Sequence, residues 1–331
     1  IMTSKKNGEK LVCKVSVIVP IYNVEKYIEK SIQAICHQTF KDFQVVLVDD
    51  GTQDNSAVLA EKILQIEKIE YKIIHQNNKG LPAARNMGLK NADGEYVVFV
   101  DSDDVVERDF LSCLYSACVK NNVYAAFTDY QITNLKSRDG KKALGGDISL
   151  ISRNELLMGN MLRKLKIHLC AVLLKKNFLI ENSMWFNESL RYGEEVDYTW
   201  RLYPKLQQIA HVKSPKYKYL IRENSLMTSQ SVDRVKVLMD VIHEDIILWF
   251  AENNNDSIDF KWVESKIYFE KMHAFAEHSK YTDFKKLLIE TNYIDRMKCL
   301  EDFPDLKIQI LAFILKTFPI IFWGIFQIRK L

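Results

Sequence analysis

The sequence predicts an α/β fold: a mostly parallel sheet flanked by helices, followed by a helical C-terminal region. Three observations carry that expectation. Apolar runs of strand length alternate with segments of helical periodicity from Val15 to Val100. Two of those runs, Phe43–Val48 and Val97–Val100, lead straight into carboxylates, Asp49-Asp50 and Asp101-Ser102-Asp103-Asp104. From about Asp233 onward the pattern is helical and aromatic-rich, with no further clustered chemistry.

The elements follow in order. Val15–Pro20 reads as a first strand stopped by its proline. Glu25–Gln38 carries Tyr27, Ile28, Ile32 and Ile35 at amphipathic helical spacing. Phe43–Val48 is a second strand, and Gly51 turns the chain. Asp54 is placed to cap a helix with Val58, Leu59, Ile63 and Ile66 on one face. Tyr71–His75 is a third strand, and Pro82 opens a helix over Ala83–Lys90. Asp93-Gly94 then turns into the strand ending at Val100. Beyond it, Phe110–Lys120 and Asn154–Leu165 read as helices, and Tyr124–Asp129, His168–Lys175 and Tyr217–Ile221 as strands. A further helical run leads from Gly193-Glu194-Glu195 through Leu206. Leu135–Gly146 is basic and glycine-containing, and reads as a mobile loop.

Composition narrows the function classes. The chain has 331 residues, 47% of them hydrophobic and 27% charged, which is ordinary for a globular protein with a sizeable core. A net charge of +3 is too small to argue for nucleic acid. The six cysteines form no C-x-x-C pair and read as buried thiols of a cytosolic protein. Ile1–Lys10 is polar, so no signal peptide is expected there. No G-x-G-x-x-G follows the first strand, which disfavours a dinucleotide-binding oxidoreductase.

The carboxylates are the informative feature. Parallel strands place their carboxyl ends on one sheet edge, where open α/β sheets present ligand-binding residues. Clustered carboxylates repel one another, so a cation is expected among them. The alternative is that Asp103 or Asp104 caps the following helix.

Several segments, in order, resemble the family 2 glycosyltransferases, inverting enzymes with the GT-A fold. They are Val15–Asn23, Gln38-Thr39-Phe40, Val48–Asp54, Ala83–Leu89 and Asp101–Asp104. Looser matches continue at Gly193-Glu194-Glu195 and Arg222–Ser225. The resemblance implies a nucleotide-diphospho-sugar donor, expected to be a UDP-sugar, and Mn²⁺ or Mg²⁺. It assigns the metal to Asp103, with Asp104 as a metal-side carboxylate. Donor contacts fall to Pro20, Tyr22 stacking on the uracil, Asp50 bonding to it, Arg85, Asp101, Ser102, and Arg222 with Ser225 closing over the diphosphate. Asn86 would brace its loop. Arg85 could instead pair with Asp101 simply to hold the cleft.

Inversion needs a base for the acceptor hydroxyl. Relatives use the second residue of an acidic pair, a position held here by Glu195 rather than Asp. Asp197 is the runner-up, on another face of the helix. The alternative for both glutamates is that they only favour a helix N-terminus.

The expected organisation is a tail (1–14), a nucleotide-sugar half (15–104), an acceptor half (105–230), a helical region (231–305) and a hydrophobic tail (306–331). That last stretch is near bilayer length, but Lys316 and Pro319 interrupt it. It is expected to lie in a membrane interface, with Trp323 at headgroup depth. The implied acceptor is a glycan or polyprenyl-linked molecule at the inner face of the cell membrane, in surface polysaccharide synthesis. A polyprenyl-phosphate sugar synthase or a non-catalytic nucleotide-sugar-binding protein are the competing readings.

Overall fold

A computed structural model describes residues 13–133, 146–162, 164–190, 192–221 and 260–328. Arg222, Ser225 and most of the expected loop Leu135–Gly146 lie outside these residues. The chain divides into two compact units, Ile1–Asn160 with Leu165–Arg222, and Met161–Lys164 with Glu223–Leu331.

The first unit is built on one sheet. Strand β1 (Val15–Ile21) is buried at every position and pairs in parallel with β2 (Phe43–Asp49) on one side and β4 (Tyr96–Phe99) on the other. β3 (Tyr71–His75) adds in parallel to β2. Helices α1 (Ile28–Cys36), α2 (Ser56–Ile66) and α3 (Leu81–Asn91) make the crossovers. Strands enclosed in this way read as unbroken apolar runs, which is why they were visible in the sequence.

Pro20 does not end β1, which continues through Ile21. The reason is local. Ile18 accepts the Val100 N–H from the β4 side, and Pro20, two residues on, faces the same way. β4 has ended by then, its last partner being Ile18. No ladder bond is lost to the missing N–H.

The rotation of α2 also differs from expectation. Ser56, Ala57, Ala60 and Leu64 face inward, and Val58 and Ile66 are exposed. Ser56 Oγ accepts the Val24 N–H at 2.9 Å, which fixes the small-residue side against the core.

The remainder of the sheet is mixed. β8 (Val172–Lys175) runs antiparallel to both β4 and β6 (Ala125–Thr133). β6 pairs in parallel with β9 (Gln208–Leu220), which also takes β5 (Val105–Val106) and β7 (Asp147–Ser152) as antiparallel neighbours. The strand order is β3-β2-β1-β4-β8-β6-β9-β5. The expected strand from His168 begins instead as a 3₁₀ turn, Leu169–Ala171. Helices α4 (Phe110–Asn121), α5 (Arg153–Met161), α6 (Lys176–Glu181) and α7 (Glu194–Leu202) complete this unit.

The second unit is helical throughout its described part: α8 (Phe260–His278), α9 (Tyr281–Glu290), α10 (Tyr293–Lys298), α11 (Leu306–Thr317) and α12 (Pro319–Ile328). Its core gathers Tyr268, Met272, Phe284, Leu287, Phe303 and Phe322. All six cysteines are free thiols.

Candidate active site

The register puts both acidic strand ends on one edge of the sheet. Ile21 lies opposite Asp49, and Ile18 opposite Phe99, two residues before Asp101. The two clusters are nevertheless satisfied differently.

Asp50 is buried and accepts three N–H groups from the loop leading into α3. These are Gln76 Nε2 at 2.7 Å, Lys79 N at 2.8 Å and Gly80 N at 2.8 Å. Asp49 accepts Thr52 N at 2.9 Å and lies 2.9 Å from His75 Nδ1. This pair shapes the loop and the start of α3. Nearby, Tyr22 is exposed, whereas Pro20 and Ser102 are buried.

Helix α3 carries the centre of the site. It packs closely on β1 because a side chain at Gly88 would overlap Ile18. That approach brings Arg85 fully inside. A buried guanidinium is costly without anionic partners. Arg85 Nη2 donates to Asp101 Oδ1 at 2.9 Å and to Glu195 Oε1 at 2.8 Å, with Cys170 Sγ at 3.6 Å. Glu194 Oε1 stands 3.5 Å from Nη1, and the Phe186 ring lies 5.3 Å beneath the guanidinium carbon. Arg85 Nε and Nη1 are buried with no hydrogen-bond partner among the described residues. Asp101, Cys170 and Glu195 each offer a ligand-type atom within 4.8 Å of the others. In this arrangement the positive charge among them is Arg85's.

Burial alone would raise the Asp101 carboxyl, but the Arg85 guanidinium, helped by His168, holds it below the usual carboxylate range. Asp104 has the opposite fate. It is fully buried, accepting Tyr217 Oη at 2.6 Å and the Leu220 N–H at 2.8 Å. Burial, with Asp101 and Asp103 adding their charge, pushes it up to about 8. Tyr217 Oη in turn accepts the Asp101 N–H at 3.3 Å, so one buried hydroxyl ties both ends of the acidic turn. Asp103 is half-buried on the same turn. A divalent Mg²⁺ or Mn²⁺ prefers hard carboxylate oxygen, and Asp103 fits that requirement. Asp104, expected on the metal side, stands enclosed behind it.

Glycine at 193 makes the start of α7 possible, with φ at +77°. The first turn presents Glu194, Glu195 and Asp197. Burial pushes Glu194 up to about 7, with Arg85 opposing the rise and Glu195 adding to it. Asp197 points elsewhere: it is fully buried in a fork with Arg201, at 2.9 and 2.5 Å, and Arg201 also bonds Trp185 O at 2.9 Å. Asn86 braces the chain before α7 by exchanging hydrogen bonds with the Phe186 backbone at 2.9 and 2.8 Å, and it donates to Glu188 at 2.9 Å. Tyr217, Cys170 and Phe186 are site residues that sequence reasoning missed. Cys170 sits in an apolar run, Phe186 follows Met184-Trp185, and Tyr217 stands between two lysines, and no spacing sets any of them apart.

Residues 16–176 match the family model described as "Glycosyl transferase family 2". Those residues are a family 2 glycosyltransferase domain. Among curated proteins, the chain is similar to Glycosyltransferase GlyA of Streptococcus pneumoniae, 31% identical over 243 residues, covering 71% of this chain and 34% of the relative. It is also similar to Minor teichoic acid biosynthesis protein GgaB of Bacillus subtilis, 28% identical and covering 83% of this chain and 29% of that one. The chain therefore spans about a third of the length of these two relatives. Poly(ribitol-phosphate) β-N-acetylglucosaminyltransferase TarS of Staphylococcus aureus is 26% identical over 283 residues, with 82% and 47% covered. The crystal structure of TarS 1–349 in complex with UDP-GlcNAc shares the fold, at a TM-score of 0.66, 22% identity and coverage of 96% and 91%. The family 2 domain ends next to β8, so Glu194 and Glu195 lie beyond the matched segment.

Proposed function

We propose that this protein is an inverting glycosyltransferase that moves a sugar from a nucleotide-diphospho-sugar, a UDP-sugar, to a hydroxyl of a glycan or polyprenyl-linked acceptor in surface polysaccharide synthesis. The observation that carries this reading is Arg85, whose single Nη2 bonds Asp101 at the donor-side strand end and Glu195 at the start of α7. The motif residue and the candidate base thus sit around one atom, although 94 positions separate them in sequence (195 − 101).

In this reading Glu195 is the general base, placed to take the proton of the attacking hydroxyl. The fork of Asp197 with Arg201 and its full burial favour Glu195 over it for that role. Asp103 is the residue that would hold a divalent ion, which when bound supplies a Lewis acid for the departing diphosphate. Asp101 lines the donor side and is held there by the buried Arg85 guanidinium. Tyr22, exposed at the strand end, offers a ring face to a base, while Asp50 shapes the loop beside it. The acceptor class is supported by the names of two relatives, Minor teichoic acid biosynthesis protein GgaB and poly(ribitol-phosphate) β-N-acetylglucosaminyltransferase TarS.

The test is a panel of nucleotide-sugars, with thermal stabilisation and nucleotide release measured with Mn²⁺, with Mg²⁺ and with chelator. Stabilisation and release specific to UDP-sugars with metal support the reading. Binding without release would favour a non-catalytic nucleotide-sugar-binding protein.

A further inference from the structure

The last two helices present two unlike faces. On the inner face of the helical unit, Ala312 and Leu315 of α11 and Phe322 and Phe326 of α12 are buried. Phe322 packs edge-on to Phe269 at 5.9 Å, and Phe326 packs on His273 at 4.1 Å. Gln327 Nε2 donates to Ala276 O at 2.6 Å, and Trp323 Nε1 to Ser279 O at 3.1 Å. The indole N–H, expected at a headgroup, is engaged inside the unit. α12 is therefore fixed in rotation.

The other face is apolar and open. Leu306, Ile310 and Phe313 form a stripe at helical spacing along α11, all more than half exposed. Phe318 at the joint is half exposed, and Ile320, Ile321 and Ile328 of α12 are more than half exposed. Side chains of this size are seldom exposed in such number on two consecutive helices without a partner.

Charge selects the partner. From Leu306 to Leu331 the sequence contains Lys307, Lys316, Arg329 and Lys330 and no Asp or Glu. Lys307 is exposed beside the stripe, and Lys316 pairs with Glu301. An apolar row within an all-basic segment is complementary to an anionic lipid surface, whereas a second copy of the same face would repel it. Length decides how it sits. α11 and α12 have 12 and 10 residues, about 18 and 15 Å of helix, against a bilayer core of about 30 Å. Among the described residues no helix is long and apolar enough to cross a membrane.

We propose that the outer face of α11 and α12 is a membrane-docking surface, lying in the interface of an anionic bilayer with Ile310, Phe313, Phe318, Ile320 and Ile321 dipped into the acyl boundary. It deepens the membrane-face reading of function but stands on the second unit alone, so it survives or fails independently of the chemistry.

The experiment is co-sedimentation of the full chain with phosphatidylglycerol-containing vesicles and with pure phosphatidylcholine vesicles. It compares the wild type with a Phe313→Ser, Ile320→Ser, Ile321→Ser variant, whose exposed positions leave the core intact. Circular dichroism and melting confirm that the variant is folded, and light scattering gives the oligomeric state of both. The expected result is preferential binding to anionic vesicles, reduced by salt and weakened roughly tenfold or more in the variant. Equal binding by wild type and variant, or no binding by the wild type, would overturn the proposal. So would a wild-type dimer that the substitutions convert to monomer, which would assign the face to a second copy.

Discussion

Arg85 Nη2 lies 2.8 Å from Glu195 Oε1, and the same nitrogen holds Asp101 at 2.9 Å. A fully buried guanidinium thus links the turn after β4 to the first turn of α7. Its removal leaves Asp101, Glu194 and Glu195 mutually repelling without the guanidinium that all three face. Arg85→Met should cost about 3–5 kcal/mol of stability, as loss of one partner from a buried ionic cluster does. Urea denaturation measures this. A loss below 1 kcal/mol would show that the cluster is more solvated than the geometry indicates.

Asp50 offers a way to separate folding from ligand binding. Its three accepted N–H groups come from Gln76, Lys79 and Gly80. Asp50→Ala leaves three part-buried donors unmet and should cost roughly 1–3 kcal/mol. Melting of the protein without nucleotide reads this directly. An unchanged melting temperature together with weakened UDP binding would make the residue a ligand contact alone.

Glu194 predicts a pH dependence. Its unfolded-state value is near 4.5, and burial raises the folded one to about 7. Between those values the folded state holds the extra proton, so stability falls as pH rises through the window and is unaffected below it. Glu194→Gln removes that slope. Melting curves should show the variant gaining on wild type by on the order of 1–3 kcal/mol between pH 4.5 and pH above 7. Parallel pH profiles would contradict the assignment.

Asp197 should behave as a structural residue. Asp197→Asn breaks a fully buried fork with Arg201, and a loss of about 2–4 kcal/mol is expected. Turnover measured below the lowered melting temperature should persist. Abolished turnover in a folded variant would return Asp197 to the chemistry.

How much of this was legible depends on distance along the chain. The parallel half of the sheet was readable because each strand is an apolar run bounded by a turn, a local signal. The short alternation of β7, Asp147–Ser152, was not, and β9 was recognised only at its Tyr217 end because polar residues such as His211 and Lys213 interrupt its first half. The acidic turn and the glutamate pair were visible as motifs. Their meeting around Arg85 was not, since α3 and α7 are joined by contacts over 110 residues (195 − 85). The surroundings of Asp103 and Asp104 differ only in three dimensions, where Tyr217 and Leu220 enclose Asp104.

The central claim is that Glu195 takes the acceptor proton. Glu195→Gln preserves size and most of the contact with Arg85, so nucleotide binding and melting should remain close to wild type. Sugar transfer, followed as nucleotide release in the presence of acceptor, should fall by about 10²–10⁴-fold. A folded Glu195→Gln protein that binds UDP and turns over at near wild-type rate would contradict the account.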